Sequence, residues 1–347
     1  MKKEFILLFT FLLTSFVSAN NSEPAPRLIE SYTSAKALEK VDPKFPRRAA
    51  RYGSDGWVQL SYVIDTEGNV RGVVPLNNVG DSAFVDAAIN AVKQWKFEPA
   101  VANGEAIEQC DNTLQMDFIL SNGAGVSRKF NTLMFNGRNA LSEGNLEGVK
   151  AELDKMDSMK RINMTEVFWR NHLAISLYNQ TGELEKKHVA VVRARRSLNA
   201  INLEDDQKAK LHSYLLQEEF AYLANNRFYA SALYTFDKLK EVDPKTADLY
   251  LDGVKKVEAL IAGNNPIFVE AAISKSGRWE YYLARKAFTL SNIEGRLDKL
   301  EIRCSRKFRS FTISEGSQWQ IPESWGKCNI HVLGEENSKF KLVELKA

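Results

Sequence analysis

Residues 42–49 read D-P-K-F-P-R-R-A, residues 56–70 read G-W-V-Q-L-S-Y-V-I-D-T-E-G-N-V, residues 83–100 read A-F-V-D-A-A-I-N-A-V-K-Q-W-K-F-E-P-A, and residues 113–120 read T-L-Q-M-D-F-I-L. Trp57 to Ile64 alternates as a half-buried strand requires, with Val58, Leu60, Tyr62 and Ile64 on one face and Gln59 and Ser61 on the other. Asp65 to Asn69 reads as a turn, because Gly68 and Asn69 tolerate the positive φ that a tight reversal needs, so Val70 to Leu76 is expected to return as the second strand of a hairpin. Phe84, Ala88, Ala91, Val92 and Trp95 then form one apolar helical stripe, with Asp81 or Ser82 available as a cap and Pro99 as a stop. Thr113 to Leu120 alternates again, giving a third strand against the same helix.

This order of pieces resembles the C-terminal domain of the TonB family. Pro43, Phe45, Pro46 and Ala49 match the family's P-x-Y-P-x-x-A, Gly56, Val58, Asp65, Gly68 and Val70 fall in its hairpin, and Phe84, Ala88, Trp95, Phe97 and Pro99 surround its helix. The likeness covers roughly a quarter of the chain. It implies a small three-stranded antiparallel sheet with a helix on one face, and an edge strand that accepts an extended peptide. In the family, the strand equivalent to Thr113–Leu120 and the residues around P-x-Y-P receive a short peptide, the TonB box of an outer-membrane transporter. Carried over, the peptide-binding residues are Asp42, Pro43, Phe45 and Pro46, together with Thr113, Leu114, Gln115, Met116, Asp117 and Phe118. Energy-transducing members often have Gln-Pro where this chain has Asp42-Pro43. The alternative is that Pro43 and Pro46 only stiffen the approach and the next domain covers the edge. An open edge would also admit a second copy of the chain, giving a strand-swapped homodimer.

A chain of 347 residues suggests two or three domains on a prior of about 150 residues each. With 26% charged and 44% hydrophobic residues, the composition is that of a folded protein. The net charge of +3 and the short basic clusters, Arg47-Arg48 and Arg193 to Arg196, argue against a nucleic-acid partner. Residues 1–19 have the layout of a secretory signal peptide: Lys2-Lys3, an apolar run from Phe5 to Phe16, and Val17-Ser18-Ala19 before the cut. Periplasmic location follows, and the alternative is a retained inner-membrane anchor, although the run is 12 residues where a span needs about 20. Residues 20–36, with Pro24 and Pro26, read as a flexible lead-in to a TonB-like domain over 37–125.

From 127 to 264 the period is helical. Phe130 to Leu141, Leu146 to Met156, Val167 to Tyr178, Leu184 to Leu198, Leu211 to Leu223 and Tyr229 to Val242 pair into hairpins of roughly 35 to 45 residues each. The last pair resembles a tetratricopeptide repeat at Ala232, Phe236 and Pro244, so this stretch is expected to be either a TPR-like repeat scaffold for a second protein partner or an irregular bundle. From 266 to 347 short alternating segments predict an antiparallel β-sandwich. Cys304 and Cys328 in that segment are expected to form a disulfide in an exported protein, the alternative being two reduced buried thiols, and Cys110 stands alone.

Enzyme chemistry has little support. His172, His188, His212 and His331 are scattered without an H-E-x-x-H pairing, and no G-x-S-x-G elbow or phosphate-binding glycine loop is present. His172 and His212 read as core or groove residues. Cys328 and His331 lack a second pair of metal ligands. Trp279, Trp319 and Trp325 read as core or as a ligand platform. The chain is therefore expected to be α+β and multidomain, without catalytic residues, cofactor or metal. Its expected role is a non-enzymatic periplasmic adaptor for a periplasmic or outer-membrane protein such as a TonB-dependent transporter. The alternative is a membrane-anchored energy transducer.

Overall fold

The computed structural model describes residues 31–120, 125–314 and 316–346. The expected leader therefore lies outside the described residues. Among the described residues no helix is long and apolar enough to cross a membrane.

The first unit runs β1 (Tyr32–Thr33), β2 (Lys36–Glu39), α1 (Arg47–Tyr52), β3 (Gly56–Ile64), β4 (Val70–Val79), α2 (Ala83–Val92), β5 (Lys96–Glu98), β6 (Ala100–Ala102), β7 (Glu105–Ile107) and β8 (Gln109–Phe118). Its main sheet is antiparallel in the order β4-β3-β8. The turn between β3 and β4 is held by Asp65, whose Oδ1 accepts from Glu67 N at 3.1 Å and Asn69 N at 2.7 Å. Gly68 there has φ +80°, and a Cβ would meet the carbonyl oxygen of Phe97 at 1.8 Å, so the hairpin tip needs glycine to seat on β5. Helix α2 covers one sheet face, burying Phe84, Ala88, Ala91 and Val92 against Val58, Leu60, Tyr62 and Ile64.

Two expectations are corrected here. The lead-in read over 20–36 contains structure at its end: Tyr32–Thr33 pairs with Val101 and Ala102, and Lys36 pairs with Glu98. The bonds are main-chain, so the polar side chains gave no periodic signal. Strand β3 is not half-buried but buried on both faces, with Trp57, Ser61 and Val63 as inaccessible as Val58 and Leu60. Polar residues at alternate positions mark a face that meets polar groups, and those groups need not be water.

The second unit comprises α3 (Arg128–Ser142), α4 (Leu146–Asp157), α5 (Met164–Thr181), α6 (Leu184–Ser197), α7 (Asp205–Asn225), α8 (Tyr229–Val242), α9 (Pro244–Asp248) and α10 (Leu251–Ala262). Four of these starts are set by a side-chain cap: Ser127, Asn145 and Asp243 cap α3, α4 and α9, and Asn163 with Glu166 forms a capping box on α5. α3 pairs with α4, α5 with α6 and α7 with α8, and each pair leans on the next through α4 against α5 and α6 against α7. Phe130, Val149, Phe168, Ala174 and Val191 fill the first two pairs, and Leu216, Phe220, Ala232 and Phe236 the third.

The third unit comprises β9 (Ile267–Ala272), β10 (Arg278–Tyr282), β11 (Ala287–Glu294), β12 (Leu297–Cys304), β13 (Lys307–Thr312), β14 (Gln318–Gln320), β15 (Cys328–Gly334) and β16 (Lys339–Leu345). Two antiparallel sheets, β10-β15-β12-β13 and β14-β11-β16-β9, enclose Tyr281, Phe288, Leu300, Ile330, Phe340 and Leu342. Cys304 and Cys328 are register partners on β12 and β15 and are joined by a disulfide, while Cys110 is a buried free thiol. Trp279 stacks on Tyr281 and Trp319 on Phe288, at ring distances of 5.5 and 5.3 Å, so both extend the core.

Candidate peptide-binding edge

Among the described residues β8 pairs only with β3, which leaves its other side as a sheet edge. The opposite edge, β4, is less available. Pro75 has no N–H, and its carbonyl accepts from Arg278 Nη1 at 3.0 Å, while that of Gly72 accepts from Arg303 Nη1 at 3.0 Å. The two halves of β8 differ as well. At its start, Glu108 Oε2 accepts from Phe308 N at 3.2 Å and Asp111 Oδ1 from Asn329 Nδ2 at 3.3 Å, so the sandwich abuts it. From Thr113 to Phe118 no strand pairs with the outer side among the described residues, and Thr113 and Asp117 are exposed.

The approach segment lies beside that half. Trp95 Nε1 donates to the carbonyl of Val41 at 2.9 Å, and Phe45 sits edge-on to Phe84 at 5.5 Å and to Phe118 at 5.9 Å. Tyr62 contacts Trp95 and pairs with Asn112, so the run from Val41 to Phe45 follows β8 from Asn112 towards Phe118 on the helix side of the sheet. Pro46 then caps α1 with extended backbone. Of the residues read as peptide-binding, Phe45, Leu114, Met116 and Phe118 have side chains in the core under α2. Asp42, Thr113 and Asp117 face solvent, and Pro43, Pro46 and Gln115 are half-buried. Recognition of an added strand would therefore fall to the main chain of 113–118 and to the side chains of Thr113 and Asp117.

Sequence reading missed the residue that packs beside the middle of this half of β8. Arg196, on α6, donates through Nη1 to Gln115 Oε1 at 3.1 Å, and Gln115 Nε2 donates back to the Arg196 carbonyl at 3.2 Å. The guanidinium also lies over Trp57, whose Nε1 donates to Ser197 Oγ at 3.2 Å. Burial lowers Arg196 to about 10. Arg193 to Arg196 stood out in the sequence only as a short basic cluster, and nothing local tied it to β8.

The polar face of the sheet meets the polar face of the sandwich. Arg303 is 1% exposed; it is paired with Glu301 at 2.8 Å and lies 3.4 Å from Ser61 Oγ. Around it, burial pushes Glu280 up to about 7 against the pull of Arg278 and Arg303, and pushes Asp111 up to about 6. His331 is wholly buried with neither ring nitrogen hydrogen-bonded among the described residues, and burial, with Arg303 and Arg278 nearby, holds it neutral. The described residues contain no group of three or more His, Cys, Asp or Glu able to hold a metal ion.

Residues 41–120 match the family model described as the Gram-negative bacterial TonB protein C-terminal. Protein TonB of Vibrio cholerae is 35% identical over 65 residues, which are 19% of this chain and 27% of that protein. Protein TonB of Yersinia enterocolitica is 32% identical over 74 residues, 21% of this chain and 29% of that protein. The solution structure of the Pseudomonas aeruginosa TonB C-terminal domain is 25% identical, covering 26% of this chain and 92% of that one with a TM-score of 0.24. The chain thus spans less than a third of the length of these curated relatives. Residues 41–120 carry a TonB-type C-terminal domain.

Proposed function

We propose that this chain is a non-enzymatic periplasmic adaptor whose TonB-type domain takes an extended segment of an envelope partner as an added strand on β8. The single observation that carries this reading is the unpaired outer side of β8 over 113–118, flanked by the approach segment from Val41 to Phe45. A sheet edge offers main-chain donors and acceptors at strand spacing, which is what an extended peptide needs. The partner class is an outer-membrane or periplasmic protein, such as a TonB-dependent transporter presenting its TonB box. On this reading the stacked hairpins α3–α8 form the TPR-like scaffold for a second protein. The test is a photo-crosslinking amino acid placed at 117 in the exported protein, with position 147 on the exposed side of α4 as control. Capture of an outer-membrane protein from 117 alone supports the proposal. Equal capture from both positions, or none from 117, refutes it, and capture of the chain by itself identifies a homodimer.

A second reading is favoured by the likeness of 41–120 to TonB proteins. There the apolar stretch from Phe5 to Phe16 is retained as an inner-membrane anchor and the chain transduces energy to the same partner. The intact mass separates the two: a mature species beginning at Asn20 supports the adaptor, and a full-length species in the membrane fraction supports the transducer.

A further inference from the structure

A cavity of about 310 Å³ lies where the TonB-type domain meets the helical unit. Its walls are tied together across the junction: Ser54 Oγ donates to the Lys160 carbonyl at 2.9 Å, and Asp55 N donates to the Ile162 carbonyl at 3.0 Å. Asp55 also anchors both sides, accepting from Leu120 N at 3.0 Å and Met164 N at 3.4 Å. The space is thus built by fixed main chain.

Two of its lining groups lack the partners that burial demands. Arg193, on α6, has a buried Nε with no hydrogen bond, and its guanidinium makes no ion pair among the described residues. Burial, and then the neighbouring Arg170, lower its pKa, and Asp157 offsets them in part without pairing with it. Asn171, on α5, is 3% exposed; its Nδ2 donates to the Val167 carbonyl at 2.7 Å, but its Oδ1 is buried without a donor. A buried polar group left unpaired is costly, and two in one cavity mark a place for a ligand with an acceptor and a donor.

The charges narrow the class. Arg170 is already engaged, holding Asp157 through Nε at 2.8 Å and Nη2 at 2.6 Å. Asp81 and Asp157 line the same cavity, so a dianion such as phosphate would be repelled by two carboxylates more strongly than a monoanion, whose own N–H can donate to one of them. Guanidinium and carboxylate also match as planar forks. Met156, Met159 and Val167 supply apolar wall. At the small end of the range for ligand pockets, about 300–1,000 Å³, the volume suits one or two residues and not a long chain.

We propose that this cavity binds an α-carboxylate with an N–H on the same carbon and an aliphatic side chain, with Arg193 holding the carboxylate and Asn171 Oδ1 accepting from the nitrogen. A free aliphatic amino acid and the C-terminal residue of a peptide share that chemistry. Titration calorimetry of the full exported chain with L-leucine, the dipeptide Ala-Leu, the C-terminal amide of Ala-Leu, and inorganic phosphate separates the sources. The expected result is binding of L-leucine or Ala-Leu, at least tenfold weaker binding of the amide, and no binding of phosphate. Arg193→Gln is expected to lower the affinity tenfold or more, with Arg193→Lys intermediate. Neither variant should lower the unliganded Tm by more than a few degrees, because the guanidinium makes no hydrogen bond among the described residues. Phosphate binding in place of the carboxylates, binding unchanged in Arg193→Gln, or no heat from any probe at millimolar concentration would overturn the assignment.

Discussion

Arg303 on β12 donates from Nη1 to the carbonyl oxygen of Gly72 on β4 at 3.0 Å, tying the C-terminal sandwich to the TonB-type sheet across 231 residues of sequence. Its guanidinium also holds Glu301 at 2.8 Å in a site that excludes water. A charge buried in this way is tolerable only with its partners in place.

Replacing it shows how much the junction depends on it. Arg303→Leu leaves Glu301, among the described residues, with Lys299 as its one remaining ion-pair partner, so a loss of about 3 kcal/mol is expected in urea unfolding. Ser61→Ala is expected to cost under about 1 kcal/mol, because its contact with Arg303 is long at 3.4 Å. Equal losses from the two would contradict the ranking.

The junction also carries a pH dependence of known sign. Glu280 is raised from 4.5 to about 7, chiefly by burial, so the folded chain holds that proton more tightly than the unfolded one. Its contribution is complete below the unfolded value and is lost as pH rises through about 7. Asp111, raised from 3.8 to about 6, acts in the same direction over a lower window. His331 opposes both, since its depressed value costs stability as pH falls below 6.5. Glu280→Gln isolates one group: relative to the parent it should gain about 2 kcal/mol between about pH 4 and pH 8, and a constant difference would contradict the assignment.

Much of this architecture is legible in the sequence. The β3 alternation, the Asp65–Asn69 turn and the apolar stripe of α2 from Phe84 to Val92 are local patterns and formed where they lie, whereas α2 ends at Val92, so Trp95 falls past the helix just before β5 and packs on Tyr62 and Phe97. Ser61 departs from the β3 pattern because alternation reports polarity and not exposure; the Arg303 that covers it lies more than 200 residues away. β14, three residues of Gln-Trp-Gln, carries too short a pattern to be seen. The cavity was invisible for a stronger reason, since Asp81, Asp157 and Arg193 converge only through packing of two units.

The two kinds of cysteine should separate chemically. Burial raises the Cys110 thiol to about 12, so almost no thiolate exists near neutral pH. Iodoacetamide is expected to leave native Cys110 unmodified and to label it once in denaturant, while Cys304 and Cys328 react only after reduction. Replacing both Cys304 and Cys328 with alanine should lower stability by roughly 2–4 kcal/mol. Rapid labelling of Cys110 in the native chain would contradict its placement.

The hairpin tip offers a sharp steric test. Gly68→Ala demands a Cβ where the Phe97 carbonyl sits, at a φ of +80° that alanine resists. A loss of about 2–3 kcal/mol, read from the Tm, is expected, with Gly104→Ala costing less because that glycine shares positive φ but has open space around it.

The central claim is that β8 receives a strand, and amide hydrogen exchange tests it most directly. Exchange across 109–118 should be followed in the full chain with and without a saturating peptide that carries the TonB box of an outer-membrane transporter from the same cell. The account predicts added protection confined to 113–118, with β3 and β4 unchanged. Bound peptide that leaves 113–118 exchanging as before would contradict it.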